Sequence, residues 1–404
     1  MKIVHTADWH LCDRLGRLDR TADLRTRVER VAQLCVEHAA DVLLIAGDLF
    51  SEDAQLDDMT AAFTHIRDTF RPFFACGGTI LAITGNHDRD GRINIVRAGM
   101  TLAVPDAGRG GSVLSGGRMY LANGRGVATL QDASGQRVQF VLVPYPFASR
   151  YDLSATEYRS KEEETRLLHG KVASWIQEVP TLPGFDHGLP TVLTAHLHVR
   201  GSEVHNLYKM TDRDDVLFDF ADLNPSWAYV ALGHIHKPQT LGGAANVRYP
   251  GSLDRLDFGE IHEEHGVLLL EISGANTVTP TRLPILATPF HTITMDDPDS
   301  DLANLDARYP DSQIAIVRIT VTGTSQTLSR DEIARKLRKQ FPRLHELKWA
   351  DASDAQEAPV GKFTPRSGFE TTVREYLAEK LAADPDRADI LALAESFLKP
   401  IGDP

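Results

Sequence analysis

The chain has 404 residues, 42% of them hydrophobic and 25% charged, with a formal net charge of −13. That length exceeds what one hydrophobic core usually holds, so two or more domains are expected in a protein of globular composition. No apolar run approaches the ~20 residues of a membrane span, and Cys12, Cys35 and Cys76 are too scattered for a disulfide framework or a zinc ribbon.

The opening "MKIVHTADWH" lacks a charged region followed by an apolar one, so no secretory signal is expected. With the scattered cysteines this suggests a reducing compartment and a cytoplasmic location. The negative charge, taken alone, opposes a nucleic-acid partner. Metal ions bring their own positive charge to an acidic site, so the balance leaves that question open.

In chain order, "KIVHTAD" reads as a strand. "RTADLRTRVERVAQLCVEHAA" places Leu24, Val28, Val31, Leu34 and Cys35 at helical spacing. "DVLLIAGD" is a nearly continuous apolar strand, "MTAAFTHIRDTF" a helix and "TILAITGNHD" another strand. The Gly-rich "GRGGSVLSGGRMYLANGRG" reads as turns between short strands or as a mobile loop. "QFVLVPYPF", "TVLTAH" and "WAYVALGHIH" follow as strands. Continuous apolar strands alternating with helices predict an α/β plan, sheets covered by helices.

The character changes at "SGANTVTPTRLP", which reads as a linker. Beyond it, "FHTITM", "SDLANLDARY", "QIAIVRITVTG", "SRDEIARKLRKQF" and "LHELKWA" predict a small β-α-β-α-β domain. "DASDAQEAPVGKFTPRSG" is a polar connector. The tail reads as two helices, one with an apolar stripe of Phe369, Val373, Tyr376, Leu377 and Leu381. Ile390, Leu391, Leu393, Phe397 and Leu398 crowd the other. These helices either fold back to finish a core or dock in a partner's groove.

Five predicted strands end in possible ligands. They are Asp8 and His10 of "ADWH", Asp48 of "GD", Asn86 to Asp88 of "GNHD", His196 of "TAH", and His234 and His236 of "GHIH". Ligands of α/β sheets bind beyond the carboxyl ends of strands. Residues i and i+2 of an extended segment point the same way. Imidazole, carboxylate and amide oxygen without thiolate suit Mn, Fe or Zn. Seven ligands, Asp8, His10, Asp48, Asn86, His196, His234 and His236, exceed a single catalytic zinc site. They suit two cations about 3.5–4 Å apart sharing a carboxylate, for which Asp48 is the bridging candidate.

The order D-x-H, G-D, G-N-H-D, H, G-H-x-H resembles that of the calcineurin-like metallophosphoesterases. "HTADWHL", "AGDLF", "ITGNHD", "ALGHIHKPQ" and "RYPGSLDRLDFGE" resemble more narrowly their SbcD-type branch, nucleases of DNA double-strand-break repair. The resemblance implies an α/β sandwich of two sheets flanked by helices over residues 1–278. It also implies a small α+β capping domain for DNA recognition over 283–352 and a partner-binding helical tail over 366–404. It implies Asp8, His10, Asp48 and His236 on one metal and Asp48, Asn86, His196 and His234 on the other. His87 matches the family's catalytic histidine; Asp88 either orients it or is an ordinary turn carboxylate. Mn2+ is the implied working metal, with Mg2+, Fe2+ or Zn2+ possible.

The implied activity is exonuclease cleavage at duplex ends, with endonuclease cleavage of single-stranded or hairpin DNA. The cations would lower the pKa of a water for in-line attack, and His87 would serve the transition state as a general acid. The implied partners are DNA, a second copy of the chain, and an SbcC-type ATPase bound near the base of its coiled coil. No membrane is implied, and DNA binding would make the protein nucleoid-associated. A small-molecule phosphodiesterase or a non-catalytic repair scaffold stays open. The extra C-terminal domain weighs against the first, and the filled ligand positions weigh against the second.

Cys12 departs from the family, which often has Gly there; it is a small turn residue, or else binds a thiophilic ion or is oxidised. His5 reads as a core or edge histidine, His198 as a neighbour of the ligands or solvated, and His262 and His265 as surface residues. Arg14, Arg17, Arg20, Arg89 and Arg92 suit phosphate contacts or a solvated loop. Tyr249 and the "PGS" after it could shape a substrate pocket.

Overall fold

The computed structural model describes residues 1–101, 113–204, 215–223, 226–274 and 277–350, together with residues 387, 390 and 391. Apart from those three positions the two helices expected over 366–404 lie outside the described residues, as does the whole of the polar connector.

The first sheet contains strands β1 (Lys2–Thr6), β2 (Val42–Ala46), β3 (Thr79–Ile83) and β4 (Met119–Ala122), paired in parallel in that order. The second contains β5 (Gly126–Gln131), β6 (Arg137–Val143), β7 (Thr191–His196), β8 (Tyr229–Gly233) and β9 (Val247–Tyr249). Strands β6 to β9 run parallel, and β5 pairs antiparallel to β6. The chain then returns to the first sheet, where β10 (Gly266–Gly274) pairs antiparallel to β1 and β11 (Thr277–Pro284) antiparallel to β10.

Alternation along the strands explains the layering. Ile3, Val42, Leu44, Leu81 and Ile83 form one core with Phe140, Leu142, Val192, Tyr229 and Ala231 of the other sheet. Their neighbours Val4, Leu43, Ile45, Ile80 and Ala82 pack instead with helices α1 (Thr21–Glu37) and α2 (Leu56–Thr69), which supply Leu24, Val28, Val31, Met59 and Ile66. After α3 (Arg71–Ala75) and α4 (Asp90–Thr101), helix α5 (Lys161–Glu178) covers the second sheet. Its Leu168, Val172 and Ile176 pack with Val141, Val143, Leu193, Val230 and Leu232. Strands buried on both faces read as unbroken apolar runs, which is why β2 and β3 were plain in the sequence.

The small β-α-β-α-β unit has β12 (Phe290–Met295), α6 (Pro298–Arg308), β13 (Ile316–Val321), α7 (Arg330–Gln340) and β14 (Leu344–Trp349). Strands β12 and β13 are parallel, and the sheet order is β12-β13-β14. Ser329 and Glu332 form a capping box that starts α7. Phe258 packs on Phe290 with ring centroids 5.0 Å apart, and Asp23 of α1 accepts from Arg343 Nη1 at 3.0 Å.

The fold class is as expected; the linker and two helices differ from expectation, whereas the Gly-rich stretch takes the first of its two expected forms. The linker at "SGANTVTPTRLP" is largely strand β11, paired to β10 from Thr277 to Pro284. Pro280 and Pro284 are tolerated because β11 is an edge strand, where a missing N–H leaves no ladder bond broken. The described part of the Gly-rich stretch forms short strands including β4. Helices α4 and α5 were not foreseen. For α5 a signal existed: Ser160 accepts from Glu163 N at 3.2 Å, the S-x-x-E start of a helix. Among the described residues no helix is long and apolar enough to cross a membrane.

Candidate metal centre

The expected ligands follow the C-terminal ends of five strands. Asp8 and His10 follow β1, Asp48 follows β2, and Asn86 and His87 follow β3, all in the first sheet. His196 closes β7, and His234 and His236 follow β8, in the second. The two sets meet at the carboxyl ends of these strands.

The backbone at this junction is tightly specified. Asp8, His10, Asp48 and His234 all hold positive φ, at 52°, 44°, 50° and 100°. Such conformations cost non-glycine residues of order 1–3 kcal/mol and persist where surroundings over-determine them. Here Asp8 N donates to Gly47 O at 3.1 Å, His10 N to Asp48 O at 3.1 Å, and His234 N to the Asp8 carboxylate at 3.0 Å. From "PGS" and the leucine after it, Ser252 N donates to His236 O at 3.0 Å and Leu253 N to Asp8 O at 3.2 Å. Gly47 has φ +98°, and a Cβ there would stand 2.1 Å from His196 Nδ1. A Cβ on Gly85 would stand 2.0 Å from Asp48 Oδ1.

Asp48 is central. Its Oδ2 lies 3.3 Å from His196 Nε2 and 3.7 Å from His10 Nε2, and its Oδ1 accepts from His87 N at 2.9 Å. Asn86 Oδ1 lies 3.0 Å from both His196 Nε2 and His234 Nδ1. Ligand atoms fall within 4.8 Å of one another in the groups Asp8–His10–His236, Asp8–Asp48–His196 and His10–Asp48–His87. His10 Nε2 is buried with no hydrogen-bond partner. A buried orphan nitrogen facing carboxylates is what a cation would satisfy, so the residues present fit divalent metal.

The charges are mutually compensated. Burial pushes Asp8 up to about 6 against the pull of His196 and His236. Burial acts upward on Asp48 too, yet the histidines around it, His196 foremost, hold it well below the ordinary carboxylate range. Burial holds His10 well below the usual imidazole value. Burial also opposes protonation of His196, but Asp48 and Asp8 keep it up at about 9. The same contest at His236 is won by Glu260, again at about 9.

His87 is half-buried, with its ring centroid 4.9 Å from that of His10. The buried carboxylate of Asp88 is held by backbone, accepting from Gly85 N, Leu49 N and Phe50 N at 2.9, 3.2 and 3.0 Å. It thereby ties the loop after β2 to the loop after β3. Cys12 has φ +68° and a half-buried thiol that burial pushes up to about 11, the behaviour of a small turn residue rather than a reactive thiolate.

Other expectations are corrected. Arg20 is neither in a solvated loop nor poised for phosphate. It is fully buried, donating to Asp23, Asp254 and the carbonyl of Arg255. Tyr249 belongs to the core, its hydroxyl donating to Leu197 O at 2.6 Å. His265 is buried against the Ser252 carbonyl at 3.0 Å, while His262 is exposed as expected. His5 is a core histidine between Tyr229 and the Leu232 carbonyl. Arg14 and Arg17 are exposed; Arg89 pairs with Glu52, and Arg92 donates to the Ala54 carbonyl.

Two buried carboxylates behind the ligands were missed. Glu260 Oε1 accepts from His236 Nδ1 at 3.0 Å. Asp215 Oδ2 accepts from His234 Nε2 at 2.8 Å and from His198 Nδ1 at 3.0 Å. Glu260 ends the "DFGE" of the family-like stretch "RYPGSLDRLDFGE", whereas Asp215 carries no local signal.

A family model described as calcineurin-like phosphoesterase matches residues 1–238. The SbcD component of the nuclease SbcCD of Rhodobacter capsulatus is 29% identical over 297 residues, 70% of this chain and 69% of that protein. Its counterpart in the nuclease SbcCD of Escherichia coli (strain K12) is 27% identical over 356 residues, covering 83% of this chain and 81% of that protein. A solved dimetal phosphatase from Danio rerio aligns with a TM-score of 0.42 and 12% identity, over 70% of this chain and 98% of that one.

Proposed function

The chain belongs to the calcineurin-like phosphoesterase family, and from that premise we propose that it is a two-metal nuclease acting on DNA ends. Metal-dependent hydrolysis of phosphodiesters is the family's chemistry, and the relatives at 27–29% identity are named as components of a nuclease. The single observation that carries the two-metal reading is Asp48, whose Oδ2 lies 3.7 Å from His10 Nε2 of one proposed set and 3.3 Å from His196 Nε2 of the other.

Asp8, His10, Asp48 and His236 would hold one cation, and Asp48, Asn86, His196 and His234 the other. When bound, such a pair supplies a water of lowered pKa and stabilises charge on phosphoryl oxygens. Imidazole, carboxylate and amide without thiolate suit Mn2+, Fe2+ or Zn2+ alike, and the family resemblance favours Mn2+ among them. The half-buried imidazole of His87 can give a proton to the departing alkoxide. Asp88 holds the loop that carries His87 against the loop that carries Asp48.

Residues 283–352 are read as a capping domain for DNA. Helix α7 exposes Arg335, Lys336, Arg338 and Lys339 in a chain of net charge −13, a local supply of phosphate contacts. The relatives' names, as one subunit of a nuclease SbcCD, also support a partner subunit; we propose that it is an SbcC-type ATPase, that residues 366–404 are its docking segment, and that a homodimer places two sites along DNA.

The deciding experiment compares duplex DNA of defined ends with a chromogenic phosphodiester, each with Mn2+, Mg2+ or Zn2+. Hydrolysis of DNA from its ends supports the proposal. Turnover of the small ester with intact DNA would instead indicate a small-molecule phosphodiesterase. Pull-down of the ATPase by the full chain and by a chain ending at residue 365 tests the tail, and unchanged binding would place the interface elsewhere.

A further inference from the structure

His234 and His236 are two residues apart, yet their carboxylate partners sit on different ring nitrogens. Asp215 receives Nε2 of His234, while Glu260 receives Nδ1 of His236. We propose that Asp215 and Glu260 are positioning residues that make this H-x-H pair present opposite nitrogens to the metals, Nδ1 from His234 and Nε2 from His236. The inference rests on the reading of these histidines as metal ligands.

The geometry on the His234 side is direct. Nδ1 lies 3.0 Å from Asn86 Oδ1, toward the centre, and Nε2 lies 2.8 Å from Asp215 Oδ2, away from it. Both Asp215 oxygens are engaged: Oδ2 also takes His198 Nδ1 at 3.0 Å, and Oδ1 takes Tyr145 OH at 2.9 Å and Val216 N at 2.8 Å. Four donors on one carboxylate use its acceptor capacity. The close group His198–Asp215–His234 is therefore a hydrogen-bonded clamp and not a third cation site.

On the His236 side, Glu260 is 1% exposed. Besides His236 Nδ1 it takes Ser252 Oγ at 2.9 Å and Leu256 N at 3.2 Å, both on its Oε2. Ser252 belongs to the segment that also donates to the His236 carbonyl. One short stretch, Ser252 to Glu260, thus holds His236 by ring and by backbone. A carboxylate accepting from one ring N–H fixes the tautomer and raises the basicity of the other nitrogen. A shared tautomer would aim one of the two imidazoles' lone pairs at a carboxylate, which no cation could then use.

The test uses the full chain stripped of metal, titrated with Mn2+ by calorimetry, and the zinc-loaded chain labelled with nitrogen-15 at histidine. The wild type should bind two ions. Nuclear magnetic resonance should place the remaining ring proton on Nε2 of His234 and on Nδ1 of His236. Asp215→Ala and Glu260→Ala should each weaken one ion by about 10–100-fold. Glu260→Gln, whose amide oxygen still accepts, should recover part of that loss. The metal-free melting curves separate these losses from unfolding. If either alanine variant fails to fold, the Gln variant and the wild-type resonances still decide the matter. Protons on the same nitrogen of both rings, or folded variants of wild-type affinity, would overturn the proposal while leaving the ligand reading intact. A wild type that binds no ion would remove the ligand reading, and this inference with it.

Discussion

Asp48 Oδ2 lies 3.3 Å from His196 Nε2, and the two residues belong to different sheets. The carboxylate follows β2 and the imidazole closes β7, 148 positions apart in sequence. The centre exists only because the sandwich brings these two strand ends together. Asp48→Ala removes the group shared by both ligand sets. Metal analysis should find both ions lost or weakened, and DNA cleavage should fall to background. Two ions retained with full activity would refute the bridging assignment.

His87 contributes differently. Its backbone N–H is tied to Asp48, and its half-buried ring lies beside that of His10. His87→Ala should keep both ions and lose about 10²–10⁴-fold in turnover, the usual scale of general acid–base assistance. Single-turnover cleavage beside metal analysis checks this. Loss of metal in the variant would make His87 a ligand.

Gly47 holds φ +98°, and any Cβ there would stand 2.1 Å from His196 Nδ1. Gly47→Ala must displace His196 or the loop carrying Asp48. Strain of this kind costs of order 1–3 kcal/mol, so the melting temperature should fall. Metal occupancy should fall with it, because the atom displaced belongs to a ligand. Calorimetry with and without Mn2+ separates the two losses.

Asp23 links α1 to the small β-α-β-α-β unit. Burial acts to raise its pKa, but the guanidinium groups of Arg343 and Arg20 outweigh this and hold it below the ordinary carboxylate value. A depressed folded value stabilises above the unfolded pKa of about 3.9 and is lost as pH falls through the folded value. Asp23→Asn should therefore unfold more easily than the wild type at neutral pH, by about 1–3 kcal/mol. The two should converge in acid. Urea unfolding at pH 7 and in strong acid measures the difference; an equal gap at both would show that the pair's charge contributes nothing.

Much of the fold was legible before the structure. Strands β2 and β3 are buried on both faces, so their sequences are unbroken apolar runs, and the helix carrying Leu24, Val28 and Val31 shows its spacing directly. Strand β11 was not legible. None of its side chains is buried and it carries two prolines, so local composition resembles a linker, and only its pairing to β10 makes it a strand. The buried state of Arg20 was hidden for a related reason, since its partner Asp254 is 234 residues away.

At the site, the residue types and their place at strand ends were determined by the sequence alone, because a strand end is a local property. The tertiary structure decided which ends meet, and that four of the seven residues take positive φ. It also decided that Asp215 and Glu260 stand behind His234 and His236. The physical reason is that a hydrogen bond or ion pair is set by distance in space, and nothing in the local chain of either carboxylate encodes which imidazole it will face.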